Sequence, residues 1–253
     1  MITFVGAGPG DPELITVKGQ RALQEADFIL YAGSLVPTAL LQWAKPGAEC
    51  VDSAPLNLDE IVEMMARAYN EGKCVVRLHT GDPSIYGAIG EQMAALDARK
   101  IPYTVIPGVS SFLASAAALP TELTLPGVSQ TVIITRCPGR TPVPPGQEIA
   151  SLASHGATMA IFLSAGRLEE TVAELCQHYA PSTPAAIVQR ASWPEQKIIR
   201  GTLATIAAQA EAEGIDRTAM ILVGDVLANA GEASKLYDRA FAHGYREAAS
   251  GTL

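Results

Sequence analysis

The stretch HTGDPSIYG, residues His79–Gly87, decides how this chain folds. It follows the apolar run CVVRL, Cys74–Leu78, which predicts a buried strand, and it leads into a segment from Ser84 to about Ala98 that predicts a helix. In an open α/β sheet, ligands bind beyond the carboxyl ends of the strands, where backbone N–H groups and helix N-termini lack partners. We therefore expect the chemistry of the protein at this strand end. The alternative is an ordinary connection in which Asp82 or Ser84 only caps the helix.

Two more loops rich in glycine and proline follow predicted strands in the first half of the chain. The loop Gly6–Pro12 follows the strand Ile2–Val5, and the loop Pro107–Ser111 follows the strand Tyr103–Ile106. Strands that alternate with helices at these intervals predict a mainly parallel sheet with right-handed crossovers. Because the carboxyl ends of parallel strands lie at one edge of the sheet, we expect the three loops to converge there.

The sequence changes in character between Pro120 and Gly127, and we place a domain boundary there. The first predicted domain, 1–120, is an α/β domain with a mainly parallel sheet. The second, 121–253, is also α/β, and consecutive strand patterns around Trp193 and Pro194 predict a hairpin and hence a mixed sheet. The predicted fold class is therefore α/β, with two α/β domains in one chain.

Composition limits the classes of partner. The net charge is −8, hydrophobic residues make up 48% and charged residues 17% of the 253 residues, which predicts a compact globular protein. An acidic protein is a poor partner for nucleic acid, because that binding depends on many Lys and Arg contacts to phosphates. The chain has no basic or signal-like leader and no run of eighteen apolar residues, so we expect a cytoplasmic protein that does not cross a membrane. Four widely spaced cysteines predict free thiols and no metal site: Cys50, Cys74, Cys137 and Cys176.

The first glycine loop offers an alternative function, that of a nicotinamide-dependent oxidoreductase. Counted from Gly6, the dinucleotide fingerprint requires glycines at positions 6, 8 and 11, but position 11 is Asp11. An acidic side chain at that position disfavours a pyrophosphate, which is itself an anion. The loop is therefore suited to close approach of a ligand to the backbone, without being evidently a phosphate site.

Four motifs in this order resemble the tetrapyrrole (corrin/porphyrin) methylases: GAGPGD at Gly6–Asp11, GDPSIYG at Gly81–Gly87, PGVSS at Pro107–Ser111 and GTL at Gly201–Leu203. The resemblance covers nearly the whole chain, so it is far more specific than a lone glycine motif. Three further stretches are most similar to the branch of the family that methylates C-11 of precorrin-4 in cobalamin biosynthesis: Tyr31–Val36, Asp52–Asn57 and Ser234–Asp238.

The resemblance implies a homodimer whose two-domain subunits hold S-adenosylmethionine in a cleft between the domains, with S-adenosylhomocysteine as a product. It implies a methyl-donor site formed from the first domain by Pro9, Gly81, Asp82, Ile85, Ser110 and Ser111. From the second domain it implies Phe162, Leu163, Ala191, Ala219 and Met220. Most of these residues are small or apolar, so they would act through backbone groups and shape.

The substrate implied by the resemblance carries many carboxylates, which an acidic protein must neutralise locally. The expected substrate-binding residues are arginines, because guanidinium makes bidentate contacts with carboxylates: Arg77, Arg136, Arg140 and Arg167. The candidates for orienting or deprotonating the macrocycle are His79, Tyr31, Asp52 and Glu122. For each of these four, a structural role as a cap or a satisfied interior group is the alternative.

Related uroporphyrinogen methylases carry an Asp and a Lys, proposed acid-base groups, where this chain has Ala32 and Ser53. The difference favours methylation at another ring position and does not argue against methyl transfer. The expected mechanism is direct attack by an electron-rich ring carbon on the sulfonium methyl, with the carbon, methyl and sulfur held in line. Three other functions stay open at this point. They are methylation at a different ring carbon, methylation of an acceptor other than a tetrapyrrole, and binding of S-adenosylmethionine without catalysis.

Overall fold

The computed structural model describes residues 1–139, 141–228, 241–242 and 244–247. Arg140 and the stretch Ser234–Asp238 lie outside the described residues. The chain forms two compact units. The first contains Met1–Ala118 together with Arg190–Lys197, and the second contains the described residues of Leu119–Gln189 and those from Ile198 onward. The first unit thus includes eight residues from the stretch that we assigned to the second domain.

The sheet of the first unit consists of five parallel strands. In chain order, its strands are β1 (Ile2–Gly6), β2 (Phe28–Tyr31), β3 (Glu49–Asp52), β4 (Val75–His79) and β5 (Tyr103–Ile106). They are arranged in the order β3-β2-β4-β1-β5, and every pairing is parallel. The helices of this unit are α1 (Val17–Glu25), α2 (Leu58–Asn70), α3 (Ile89–Ala98) and α4 (Ser111–Ala118), with short 3-10 helices at Pro12–Leu14 and Thr38–Trp43. The mainly parallel N-terminal sheet is confirmed.

Apolar residues cover both faces of this sheet, as a parallel sheet requires. Along β1, Phe4 belongs to the core on one face and Val5 to the core on the other, because successive side chains of a strand point to opposite faces. All five residues of β4 are buried, which fits a strand inside the sheet. Asn57 begins α2 with a capping box in which the side chain of Glu60 bonds back to the backbone of Asn57.

The second unit has a mixed sheet, and this prediction too is confirmed. Its strands are β6 (Val132–Arg136), β7 (Thr158–Phe162), β8 (Pro184–Gln189), β9 (Lys197–Thr202) and β10 (Ala219–Val223). The order is β6-β7-β10-β8-β9, with β6 parallel to β7, and β10 antiparallel to both β7 and β8. The helices are α5 (Ile149–Ala153), α6 (Leu168–Leu175) and α7 (Ile206–Ala212), with 3-10 helices at Ala165–Arg167 and Asp225–Ala228.

The helix predicted from Ser84 to Ala98 begins five residues later, at Ile89. Tyr86 and Ala88 have φ values of 55° and 49°, which is the left-handed region and is incompatible with a right-handed helix. Neither Asp82 nor Ser84 caps α3, because its N-cap is Ala88, which makes no side-chain cap bond. The turn after β4 is therefore separate from α3 and does not form its first turn.

Among the residues that the structure describes, no helix has both the length and the apolar character needed to cross a bilayer.

Candidate active site

Three loops meet at the carboxyl edge of β4, β1 and β5, which are neighbours in the first sheet. Gly8 and Gly81 exchange two backbone hydrogen bonds, with N···O distances of 3.2 and 2.8 Å, and the N–H of Ala7 donates to the carbonyl of His79 over 2.7 Å. The expected convergence of the glycine loops is therefore real, and it is achieved through the main chain.

Glycine is required here for contact between the loops themselves. A Cβ atom on Gly6 would lie 2.5 Å from the backbone nitrogen of Gly108, and one on Gly108 would lie 2.1 Å from the carbonyl oxygen of Gly81. Such distances leave no room for any side chain. Gly81 is different, since its own Cβ position has space and the requirement comes from a φ of +59°.

The carboxylate of Asp82 joins two of the loops. Its Oδ1 accepts a hydrogen bond from the N–H of Ser84 over 2.8 Å, and its Oδ2 accepts one from the N–H of Gly108 over 2.9 Å. These charge-assisted bonds hold the turn after β4 against the loop after β5. Asp82 therefore shapes the site through the backbone.

Helix α4 starts at this edge. Ser110 is buried, and its carbonyl accepts hydrogen bonds from the N–H groups of Leu113 and Ala114 over 3.1 Å each. The N-terminus of a helix presents N–H groups without intrahelical partners and carries a partial positive charge. Ser110 and Ser111 thus place a helix N-terminus beside the converging loops, an arrangement suited to a carboxylate.

The segment Arg190–Lys197 holds the first glycine loop in place. The indole Nε1 of Trp193 donates to the carbonyl of Pro9 over 2.9 Å, and the N–H of Asp11 donates to Oγ of Ser192 over 3.0 Å. A Cβ on Gly10 would lie 2.1 Å from the Trp193 ring, so the indole packs directly on the loop. Ala191 is buried in this same segment, within the first unit. The sequence pattern around Trp193 predicts only a hairpin and gives no sign of this contact.

A cavity of about 340 Å³ lies in the first unit next to the turn after β4. Arg77 and His79 both line it, as expected for two residues that are two positions apart on one strand. They are 4% and 5% exposed. The remaining lining residues are Ala32, Leu35, Leu56, Leu58, Ile61, Thr80, Ile85, Tyr86, Gly87, Ala88, Glu91 and Gln92.

Arg77 is held by two hydrogen bonds within this wall. Its Nε donates to Oε1 of Gln92 over 3.1 Å, and its Nη1 donates to the carbonyl of Leu30 over 3.1 Å. Burial lowers the pKa of Arg77 to about 10, and the charge of Asp52 opposes that shift. The sequence pattern gives no sign of this contact between Gln92 and Arg77.

The surroundings of His79 favour its neutral form. Burial lowers its pKa to about 3, and the positive charge of Arg77 contributes to the same shift. The imidazole stacks on Phe4 with ring centroids 6.0 Å apart, and its Nε2 is buried without a hydrogen-bond partner among the described residues. So weak a base is poorly suited to removing a proton at neutral pH.

The other three candidates for acid-base chemistry do not line this cavity. Asp52 is exposed, and its Oδ1 accepts from the N–H groups of Gly33 and Ala54 over 2.9 and 2.8 Å, which is a turn-forming role. Tyr31 ends β2 and pairs in register with Asp52 on β3 and with Leu78 on β4. Glu122 is an exposed residue of the second unit and accepts a bond from Oγ1 of Thr124.

Several expected residues of the second unit lie at one edge of its sheet. Arg136 and Phe162 are register partners at the ends of β6 and β7, and β10 begins with Ala219 and Met220 antiparallel to β7. Leu163 follows β7 directly and is 71% exposed with a φ of 54°. This edge therefore brings the predicted donor-site residues of the second unit near one another.

Two of the predicted substrate-binding arginines, Arg136 and Arg167, are described residues of the second unit, and both are bonded to local partners. Arg136 donates to the carbonyls of Cys137, Thr141 and Pro142 and to the hydroxyl of Thr141, at 3.0 to 3.2 Å. Arg167 donates to the carboxylate of Glu170 and to the carbonyl of Pro138. Arg77 thus differs from both in being buried beside a cavity.

The loop after β1 does not have the geometry of a dinucleotide site. It leads into the short 3-10 helix Pro12–Leu14, which Asp11 caps by accepting the N–H of Glu13 over 2.8 Å. The dinucleotide fingerprint requires an α-helix that begins directly after the glycines, and here a 3-10 helix of three residues takes that place. The structure gives no support to the nicotinamide alternative.

A family model described as tetrapyrrole (corrin/porphyrin) methylases matches residues 1–207. The chain belongs to the tetrapyrrole methylase family. This tetrapyrrole methylase is 55% identical over 248 residues to the cobalt-precorrin-4 C(11)-methyltransferase of Methanocaldococcus jannaschii, covering 97% of this chain and 96% of that one. It is 51% identical over 246 residues to the precorrin-4 C(11)-methyltransferase of Pseudomonas aeruginosa, covering 97% and 98%.

Solved structures agree with the family membership. The X-ray structure of a cobalamin biosynthetic enzyme, cobalt-precorrin-4 methyltransferase, matches with a TM-score of 0.87 and 46% identity, covering 89% of this chain and 95% of that one. Uroporphyrin-III C-methyltransferase from Thermus thermophilus, complexed with S-adenosylhomocysteine, matches with a TM-score of 0.74 and 30% identity, covering 92% and 95%. The fold of this tetrapyrrole methylase is that of the class III S-adenosylmethionine methyltransferases.

Proposed function

We propose that this tetrapyrrole methylase transfers a methyl group from S-adenosylmethionine to C-11 of precorrin-4, or of its cobalt-containing form, in cobalamin biosynthesis. The observation that carries the proposal is identity of 51–55% over nearly the full length of relatives that bear this activity in their names. Both the metal-free and the cobalt-containing substrate occur among those names. The proposal therefore includes both forms.

The proposed methyl-donor site in the first unit is formed by the converging loops and the start of α4. Its residues are Pro9, Gly81, Asp82, Ile85, Ser110 and Ser111, together with Ala191 of the segment that packs on the first loop. From the second unit the proposal includes Phe162, Leu163, Ala219 and Met220. Main-chain groups and a helix N-terminus fit the polar parts of S-adenosylmethionine, because its amino-acid half ends in a carboxylate.

Bound S-adenosylmethionine supplies an electrophilic methyl group on a positively charged sulfur. The residues of this chain fix geometry, since holding the ring carbon, the methyl and the sulfur in line can account for much of the rate. Asp82 contributes by locking two loops, and Trp193 and Ser192 contribute by fixing the third. We propose methyl transfer by direct attack of the ring carbon on the sulfonium methyl, a step that needs alignment of the reacting atoms more than it needs a strong base.

The substrate-binding proposal rests on the arginines. Arg77 is its best-supported member, because a buried guanidinium that lines a cavity has few roles other than structure or anion binding. Arg136, Arg140 and Arg167 remain candidates for contacts with further carboxylates. A homodimer located in the cytoplasm is also proposed, and the four free cysteines of the chain fit a reducing compartment.

The test is incubation with ¹³C-methyl-labelled S-adenosylmethionine and enzymatically prepared precorrin-4, in parallel with cobalt-precorrin-4. The expected product is heavier by one labelled methyl group, and carbon NMR places the label on C-11. A label on another ring carbon would replace the proposal with methylation at that position. Turnover of uroporphyrinogen III in preference to both substrates would also overturn it.

A further inference from the structure

We propose that the cavity lined by Arg77 and His79 is a subsite that receives one carboxylate arm of the tetrapyrrole substrate. The inference deepens the proposed function and rests on it for the substrate class. Its three supports are a buried cation, an unpartnered imidazole nitrogen and the size of the cavity, each taken from the described residues of the first unit.

The first support is the incomplete bonding of Arg77. Its hydrogen bonds use Nε and Nη1, to a neutral amide and a neutral carbonyl, and leave the two hydrogens of Nη2 without an acceptor in the described chain. No carboxylate of the described residues forms an ion pair with it. Buried charges are usually paired, because an isolated ion loses its hydration without compensation. The lowered pKa of Arg77 follows from that desolvation. The charge of Asp52 acts on Arg77 from beyond ion-pair distance, so a carboxylate arriving in the cavity would supply the direct ion-pair partner that the described chain lacks.

The second support is His79, which lies two residues further along β4 in the same wall. Its side chain is 5% exposed and its Nε2 has no hydrogen-bond partner among the described residues, whereas buried polar side-chain atoms are nearly always bonded. Stacking on Phe4 fixes the plane of the ring. A neutral imidazole protonated on Nε2 donates one hydrogen bond, and Arg77 offers donors beside it. Together, Arg77 and His79 can donate one hydrogen bond to each oxygen of a carboxylate.

The third support is the volume and lining of the cavity. A volume of about 340 Å³ is near the lower limit of ligand pockets, so it suits an arm of a macrocycle better than the macrocycle itself. Leu56, Ile61 and Ile85 provide apolar wall for the methylene groups of an acetate or propionate arm. Glu91 also lines the cavity, but it is exposed and therefore well screened by solvent.

Strained backbone at the rim of the cavity also supports a ligand-binding role. Tyr86 and Ala88 line the cavity and both adopt the left-handed conformation, which costs free energy for residues with a side chain. Gly87 between them cannot be replaced, since a Cβ there would lie 2.2 Å from the carbonyl oxygen of Pro83. Such strain persists where the surroundings enforce it and is concentrated at ligand clamps.

The competing explanation is that Arg77 only ties Leu30 on β2 to Gln92 on α3, with water in the cavity. The test measures binding of uroporphyrin III, a stable porphyrin with eight carboxylates, by fluorescence quenching. The variants are Arg77→Met, His79→Leu and His79→Gln, and the matched control is Arg99→Gln. Arg99 is a partly exposed arginine at the end of α3 that pairs with Glu63, away from the cavity.

Loss of a charge-assisted hydrogen bond predicts weaker porphyrin binding by about 10- to 100-fold in Arg77→Met. His79→Leu should weaken binding by about 3- to 10-fold, while His79→Gln, which keeps an N–H donor, should stay within about 3-fold of the wild type. Affinity for S-adenosylhomocysteine, measured by calorimetry, should be unchanged in all of them. Where His79→Leu fails to fold, ¹⁵N NMR of the His79 ring in the wild-type protein replaces it, with a shift of Nε2 on adding uroporphyrin expected.

Porphyrin affinity of Arg77→Met and His79→Leu equal to that of the wild type would overturn the subsite, as would an Nε2 resonance that does not move or a wild-type protein that does not bind uroporphyrin. A loss of porphyrin affinity in Arg99→Gln as large as that in Arg77→Met would also overturn the subsite. These outcomes are independent of the methylation assay. A protein that methylates C-11 but binds porphyrin without Arg77 refutes the subsite alone, and one that needs Arg77 but methylates another carbon refutes the proposed function alone.

Discussion

The indole Nε1 of Trp193 donates a hydrogen bond to the carbonyl oxygen of Pro9, over 2.9 Å and across 184 positions of sequence. Pro9 belongs to the first glycine loop, whose backbone pairs with Gly81 of the second. The bond therefore connects a segment from late in the chain to the proposed methyl-donor site.

Replacing Trp193 by Phe should weaken binding of S-adenosylhomocysteine by about 2- to 10-fold, because the ring remains while one hydrogen bond is lost. Calorimetric titration measures the change. Trp43→Phe is the control, since the Trp43 indole bonds the carbonyl of Pro12 over a longer 3.4 Å and should matter less. Equal effects of the two substitutions would contradict a positioning role for Trp193.

Gly108→Ala should lower the free energy of unfolding by about 2 kcal/mol or more, because the new methyl group would overlap the carbonyl oxygen of Gly81 at 2.1 Å. Gly90→Ala in α3 is the matched control, since a Cβ there meets nothing within 4 Å. That substitution should stabilise the protein by about 0.5–1 kcal/mol. Urea unfolding of both variants checks the prediction. An unchanged free energy of unfolding in Gly108→Ala would show that the loops containing Gly81 and Gly108 can move apart.

Asp82→Asn should cost about 1–2 kcal/mol of stability and weaken S-adenosylhomocysteine binding. The carboxamide offers one oxygen where the carboxylate uses two, so either the bond to Ser84 N–H or the bond to Gly108 N–H is lost. Thermal unfolding and calorimetry measure the two effects. Asp59→Asn, at an exposed position in the first turn of α2, serves as the control and should change stability by no more than about 0.5 kcal/mol.

His79 should make the protein less stable in acid. Its pKa is about 3 in the folded protein, below the ordinary 6.5, so between these values the unfolded chain binds the proton and the folded one does not. Stability is therefore lost as the pH falls from 6.5 toward 3, by up to about 1.4 kcal/mol per pH unit. In His79→Gln this contribution should disappear from urea unfolding measured across that interval. His155→Gln, at an exposed position, is the control and should keep the wild-type dependence of stability on pH. The same dependence in His79→Gln would refute the lowered pKa of His79.

The sequence predicts the parts of this fold that depend on local pattern. Apolar runs such as Val75–His79 identify the strands, and the alternation of strands with helices identifies the parallel sheet and the edge where the loops meet. The left-handed conformations of Tyr86 and Ala88 have no such pattern, because only tertiary packing holds residues with side chains there. That is why the helix was predicted to begin too early.

The candidate site could be predicted only in part for a similar reason. Asp82 and the glycines stand in a motif, but the contact of Trp193 with the first loop joins residues far apart in sequence and leaves no local signal. Positions 77 and 79 could be placed on one face of a strand from the sequence. That this face borders a cavity, and that Gln92 holds the arginine there, follows only from the packing of α3 beside the sheet.

The assignment of Arg190–Lys197 to the first unit sets an order of events during synthesis. A ribosome completes all five strands of the first sheet by residue 106, yet the partners of Pro9 and Asp11 emerge only with Ser192 and Trp193, after strand β8. The first glycine loop can pair with Gly81 once that residue is made, but its hydrogen bonds to Ser192 and Trp193 must wait for most of the chain. The nascent protein gains its scaffold early and the last hydrogen bonds that fix its proposed methyl-donor loop late.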